Sequence, residues 1–244
     1  ACKQGVEPVY RPKYEPALTN GCKGDGILSG IQIGEMHSEY DFEMYMTDFS
    51  VSPPEPRTSY VDVPFRDGLL DFSTALTGGI VRYQNRTVPV SFVTKDTAED
   101  GWRERYHSFI NAFHGRKEKL IFDYDPDYYY LGRITCDASK DDQLIGAASI
   151  TADCDPYKYK LSPTVREFDV SGSEGLDIIL QNDRMPTIPT VTTDAEITVE
   201  FGENTIAFEA GTRKAPALLL LEGANHMTLT GTGHIKFEYQ EGAL

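Results

Sequence analysis

Alternation of apolar and polar residues at period two dominates the chain and predicts a mainly β protein. Ile31 and Ile33, then Tyr40, Phe42, Met44 and Met46, occupy the apolar positions of the first predicted strands. Prolines at 53, 54 and 56 break the alternation and predict a rigid, extended connection. Short strands resume at Tyr60–Val63 and Leu69–Phe72 around the Asp67-Gly68 turn pair, then at Ile80–Tyr83 and across Val88, Val90 and Phe92. A helical spacing follows. Trp102, Tyr106, Phe109, Ile110 and Phe113 line one face of a helix over about 98–114, which Asp96 or Thr97 caps and Gly115 stops. Leu120–Phe122 reads as a strand, and Gly132–Cys136 with Leu144–Thr151 as a hairpin.

Beyond Tyr159 the helical spacing disappears. Apolar runs at Val165–Val170, Leu176–Leu180, Ile197–Phe201, Thr205–Phe208, Ala217–Leu221, His226–Leu229 and Ile235–Tyr239 alternate with glycine-bearing turns. This spacing predicts an antiparallel sandwich or jelly roll, with Leu218–Leu221 as a central strand because it is apolar on both faces. The expected organisation is an irregular N-terminal extension or arm (1–30), a β-sandwich domain with one helix (31–160), and a second β-sandwich domain (161–244). A length of 244 residues suits two domains of ordinary size.

Composition narrows the function. Hydrophobic residues at 40% are enough for a real core, but the longest apolar run, Ala215–Leu221, is too short to span a bilayer. The first residues show no apolar segment of a signal peptide, so membrane insertion is not expected. A formal net charge of −15 argues against specific nucleic-acid binding, since Arg116–Lys119 is the one short cationic cluster. Among the cysteines, Cys136 and Cys154 bracket the predicted hairpin, which fits either reduced, half-buried thiols or a disulfide.

No nucleophile elbow, phosphate loop, zinc helix or dinucleotide fingerprint occurs, so no catalytic, cofactor-binding or metal-ligating residue is expected, and no enzyme activity. Asp123, Asp125 and Asp127 alternate like a calcium loop, but the central Gly and closing Glu are missing and Pro126 interrupts them. Asn85-Arg86-Thr87 matches a glycosylation acceptor and reads as chance without a secretory signal. A jelly roll can bind sugar by stacking it on aromatic rings. The C-terminal domain has no Trp and only Tyr239, which disfavours sugar binding there and keeps a carbohydrate-binding adhesion module as the alternative function only.

The order of several stretches resembles the distal tail protein family of siphophages, with related prophage and tailocin tail-tip components. Val61–Phe72 is similar to the family's Val-Pro-Gly-Arg-Asp-Gly stretch, with Phe65 standing where the family has Gly. Tyr83-Gln84-Asn85-Arg86, then Phe113–Arg116, Asp125–Arg133 and Asp155–Tyr159 follow in the family's order. Leu221–Asn225 and Gly231–Tyr239 resemble its C-terminal ending, while residues 1–30 have no counterpart. The resemblance implies a ring-forming N-terminal β-sandwich with one α-helix and a belt hairpin, and a galectin-like C-terminal β-sandwich. It implies a structural baseplate component at the tail tip of a virion, assembled in the host bacterial cytoplasm. The implied assembly is a homohexameric ring that joins the tail-tube protein to the tail-associated hub protein and host-adhesion apparatus. The tape measure protein passes through the ring, and a receptor-binding protein is a further partner. An acidic lumen would suit DNA passage. Three regions are expected to contact neighbours: 52–57, the hairpin 133–154, and 1–30.

Overall fold

The computed structural model describes residues 30–94, 99–140, 146–172 and 175–244. The chain divides into two compact units, with the boundary along the sequence between Lys158 and Tyr159. Predicted capping by Asp96 or Thr97 and any arm within 1–29 lie outside the described residues.

The first unit contains β1 (Ile31–Ile33), β2 (Met36–His37), α1 (Ser38–Phe42), β3 (Met44–Phe49), β4 (Tyr60–Val61), β5 (Leu70–Asp71) and β6 (Arg86–Thr94). They are followed by α2 (Glu99–Phe113), β7 (Lys117–Phe122), β8 (Tyr128–Lys140) and β9 (Gly146–Cys154). Seven strands form one antiparallel sheet in the order β2-β1-β7-β8-β9-β6-β3. Strand β6 shows why the period-two reading works: Val88, Val90 and Phe92 are buried while Thr87 and Pro89 face out. Pro89, which has no N–H to donate, is tolerated beside β9 because β3 stops one residue short of it, at the pair Phe49↔Val90. The sheet curls on itself, since Phe49 on edge strand β3 packs 5.0 Å from Phe122 on β7, four places away in the strand order. Helix α2 fills the concave side. Phe109 is fully buried, with ring centroids 5.3 Å from Phe42, 5.6 Å from Phe92 and 5.0 Å from Phe113.

Two sequence expectations are corrected in this unit. The Tyr40 and Phe42 positions are not strand: residues Ser38–Phe42 form one helical turn, because the His37 side chain accepts the Glu39 N–H and Glu43 closes the turn in the left-handed conformation. Ile80–Tyr83 is not a strand and contributes a single bridge, Pro56↔Tyr83. Of the two readings of Cys136 and Cys154, the reduced one is observed and the disulfide is not. Cys136 pairs with Ile150 and Cys154 with Gly132, so both thiols are free, buried and out of reach of one another. Burial pushes the Cys136 thiol up to about 11 and the Cys154 thiol up to about 12.

The second unit holds β10 (Lys158–Lys160), β11 (Thr164–Val170), β12 (Leu176–Asn182), β13 (Thr190–Thr193), β14 (Ile197–Phe201) and β15 (Asn204–Phe208). It closes with β16 (Gly211–Lys214), β17 (Gly223–Gly231), β18 (Gly233–Tyr239) and β19 (Gly242–Ala243). Two four-stranded antiparallel sheets, β11-β18-β13-β16 and β12-β17-β14-β15, share a core that includes Leu180, Val199, Leu229 and Phe237. The mainly β, sandwich-type fold class read from the sequence is therefore observed. Leu218–Leu221 is not the predicted central strand. Pro216 sits in a turn, Leu218 and Leu220 plug the core, Leu221 is exposed, and the one bridge is Thr187↔Leu220. At the end of the unit Lys160 Nζ lies 2.8 Å from the buried Glu241 carboxylate, which also accepts from the Thr164 hydroxyl. Burial disfavours the Lys160 ammonium, but its hydrogen bond to Glu241 prevails and raises its pKa.

Candidate functional site

The part of the first unit that leaves the sheet is an arm between β3 and β6. Its neck pairs residues 55–57 with 82–84, through Arg57 N–H to Arg82 O at 2.7 Å and Gln84 N–H to Glu55 O at 2.8 Å. Farther out, β4 and β5 pair Tyr60 with Asp71 and Val61 with Leu70. The Ser73 N–H donates to Asp71 Oδ1 at 2.8 Å, and these Ser73 hydrogen bonds hold the Asp71 carboxyl below its usual pKa. The arm ends in a turn in which Arg66 N–H bonds Val63 O at 3.1 Å. Pro64 takes the second position of that turn and Phe65 the third, with φ +68° at Phe65, which is the signature of a type II turn. Glycine is the residue such a third position favours, for lack of a Cβ.

This arm has no core of its own. Tyr60, Val61, Phe65, Leu69, Phe72 and Leu76 are all exposed, Phe65 at 110% and Leu76 at 99%. Apolar side chains exposed in this number over so short a segment are what a contact surface would use.

The hairpin 133–154 is part of the sheet: β9 lies between β8 and β6, while β7 pairs with β8 only as far as Arg133. Ile134, Cys136, Ile150 and Cys154 are buried, Arg133, Thr135, Asp137 and Asp153 are exposed, and the tip 141–145 lies outside the described residues. The Pro-rich stretch 52–57 runs from buried Pro54 into the neck of the arm. Sequence reading missed the extent of this surface, because its turns carry no period. The available signals were the Pro-Phe pair and the Asp67-Gly68 pair.

Several stretches that carried the family resemblance meet around Arg86. Its guanidinium is buried and donates to Pro156 O, and it lies 5.6 Å from the Tyr130 ring, while Tyr83 packs edge-on against Tyr157 at 5.8 Å. Burial lowers the Arg86 pKa and pushes the Tyr130 phenol up to about 12. Gly132 is required for space, since a Cβ there would sit 2.5 Å from Cys154 Sγ. Arg133 Nη1 donates to Gly115 O at 2.6 Å and so ties β8 to the turn that follows α2. Two of the three aspartates of the calcium-like run have protein partners: Asp123 receives His37 Nε2 at 3.2 Å, and Asp125 receives Lys158 Nζ at 2.7 Å. Among the described residues, no three His, Cys, Asp or Glu side chains are arranged to hold a metal.

In the second unit, Asn225 is buried and closes the loop before β17. Its Oδ1 accepts Leu221 N–H at 3.0 Å, and its Nδ2 donates to Leu221 O, Gly223 O and Leu180 O at 2.9, 3.1 and 3.2 Å. The outer face of β12-β17-β14 carries an open groove of about 450 Å³ lined by Asp177, Ile179, Glu200, His226 and Thr228. Thr228 Oγ1 donates to Asp177 Oδ1 at 2.7 Å; among the described residues the Glu200 and His226 side chains have no hydrogen-bond or ion-pair partner.

The family described as "Phage tail protein RIFT-related domain" matches residues 40–154, which include the arm. No curated protein matches the chain. Among solved structures, the chain is similar in fold to the SPP1 Dit protein, described as a paradigm of the hub adsorption apparatus of phages infecting Gram-positive bacteria. The TM-score is 0.63 at 15% identity, covering 86% of this chain and 98% of that one. Residues 40–154 thus match the phage tail RIFT-related domain, and the chain shares the fold of a phage Dit protein.

Proposed function

We propose that this protein forms a homohexameric ring at the tail tip, joining the tail tube to a tail-associated hub protein and the host-adhesion apparatus. The tape measure protein would pass through the ring, and a receptor-binding protein would attach through the hub. The observation that carries this reading is the arm over 55–84, whose apolar side chains find no cover within their own unit. Such a segment has a use in a chain that is covered by neighbours after assembly, and a net charge of −15 keeps unassembled copies apart. A closed cyclic ring, in which each interface is heterologous, requires an arm and its receptor at different places on the same chain. Multi-angle light scattering and negative-stain imaging of the full chain test it. Six-fold rings are expected, and a monomer at every concentration would overturn the reading.

The groove of Asp177, Glu200 and His226 gives a second reading, carbohydrate binding in adhesion, because unpartnered carboxylate and imidazole groups beside apolar Ile179 can meet a sugar's hydroxyls and its apolar face. A glycan array with the wild-type chain and Glu200→Gln would decide it. Saturable binding lost in the variant supports this reading, and no binding to any glycan removes it.

A further inference from the structure

We infer that Phe65 is the anchor by which the arm seats on a second copy of this chain, an inference that rests on the ring reading. Phe65 combines two features that disfavour it in an isolated chain. Its backbone lies at φ +68°, where a Cβ is strained, and its ring is fully exposed, so no contact within the described chain compensates that strain. Glycine would remove both. A bulky aromatic held there gains only when something outside the chain receives the ring, and rigid aromatics inserted into a partner's pocket carry most of the binding in typical interfaces. The type II turn of Val63–Arg66 fixes the backbone behind it and so presents the ring with few conformations to lose.

Two observations select a second copy as the occupant. At roughly 150–250 Å² for a fully exposed aromatic, the six exposed side chains of the arm offer on the order of 800 Å², which is what one partner supplies to a standard interface. Charge is the second. Across the arm 55–84, Arg57, Arg66 and Arg82 stand against Glu55, Asp62, Asp67 and Asp71, so the arm carries −1 and the other −14 of the net −15 lies on the rest of the chain. The arm is therefore a nearly neutral surface that can approach another acidic copy with little repulsion. Arg66, next to the anchor and without a side-chain partner among the described residues, brings a complementary charge to that copy.

The test is sedentation-type self-association of the full chain, by analytical ultracentrifugation over a concentration series, for wild type, Phe65→Gly, Phe65→Asn and Phe65→Tyr. Gly and Asn both tolerate positive φ, so the turn is kept while the ring is removed. We expect both to raise the concentration of half-association about 10- to 100-fold. Their thermal midpoints, measured below the association range, should be unchanged or higher, and Phe65→Tyr should retain association. Wild-type association by all variants would overturn the anchor and leave the ring reading standing. A wild-type chain that remains monomeric throughout would overturn both.

Discussion

Asn225 offers the sharpest test of what holds the second unit together. Its buried amide serves one backbone N–H and three carbonyls across the turn 221–223 and the neighbouring β12. Asn225→Ala removes the donor hydrogens and the acceptor together. At about 1 kcal/mol net per hydrogen bond, with a further penalty for groups left unpaired in the interior, the loss should be about 2–4 kcal/mol. In a domain of this size that corresponds to a midpoint lower by roughly 10–25 °C. Asn225→Asp is the discriminating variant, although it is closest in shape. It keeps the acceptor for Leu221 N–H but aims a carboxylate oxygen at three carbonyl oxygens, so at neutral pH it should cost more than Ala.

The sign of the pH dependence follows. Carbonyl neighbours and burial would raise the introduced carboxyl's folded pKa above its unfolded value. The protonated acid can donate, so the variant is most stable below the unfolded pKa and loses stability as pH rises through the folded one. Urea unfolding read by far-UV circular dichroism measures this, with the fluorescence of Trp102, the one Trp of the chain, as a separate report on the first unit. An Asn225→Asp chain as stable as Asn225→Ala at pH 7, or an Ala variant within about 0.5 kcal/mol of wild type, would refute the reasoning.

Three further outcomes are expected. Phe109→Ala empties the centre of the four-phenylalanine cluster with Phe42, Phe92 and Phe113 and should cost about 3–5 kcal/mol in urea unfolding followed by Trp102 fluorescence; a loss below about 1 kcal/mol would contradict the packing. Gly132→Ala should destabilise by about 1–3 kcal/mol, and the cost should shrink when Cys154→Ala removes the sulfur a Cβ would strike; a double-mutant cycle with no coupling would show that the contact is not the cause. In a Cys2→Ser, Cys22→Ser background, Cys136 and Cys154 should resist thiol reagents at pH 8 until the chain unfolds. Their pKa values are raised to about 11 and about 12 from 9.0, so the stability they contribute is complete below pH 9 and is lost as pH rises towards 12, which calorimetry across that range would detect.

The sequence pattern was most legible where one face of an element is buried and the other is wet. β6, α2, β12 and β18 were readable because Val88, Phe109, Leu180 and Phe237 recur at the period of their element. It failed where burial did not set the spacing. β16 is exposed at all four positions and leaves no alternation to read, and Leu218–Leu220 is apolar because a loop plugs a core. The single turn of α1 depends on a capping side chain that no period reports. The arm combines these difficulties, with two-residue strands and apolar residues that face solvent.

Phe65 shows why the turn was only half legible. The sequence places the turn at the Asp67-Gly68 pair, whereas the chain reverses over Val63–Arg66. Pro64 in second position fits a type I or a type II turn equally, and Phe in third position favours type I, whose third residue keeps a negative φ. The structure keeps the type II backbone with Phe in the glycine's place, at φ +68° and fully exposed. A substitution that costs strain and exposes a ring, at the tip of an arm with no core, conflicts with the stability of the isolated chain. Such conflicts between a local rule and the fold concentrate at functional positions, and the proposed seating on a second copy would resolve this one.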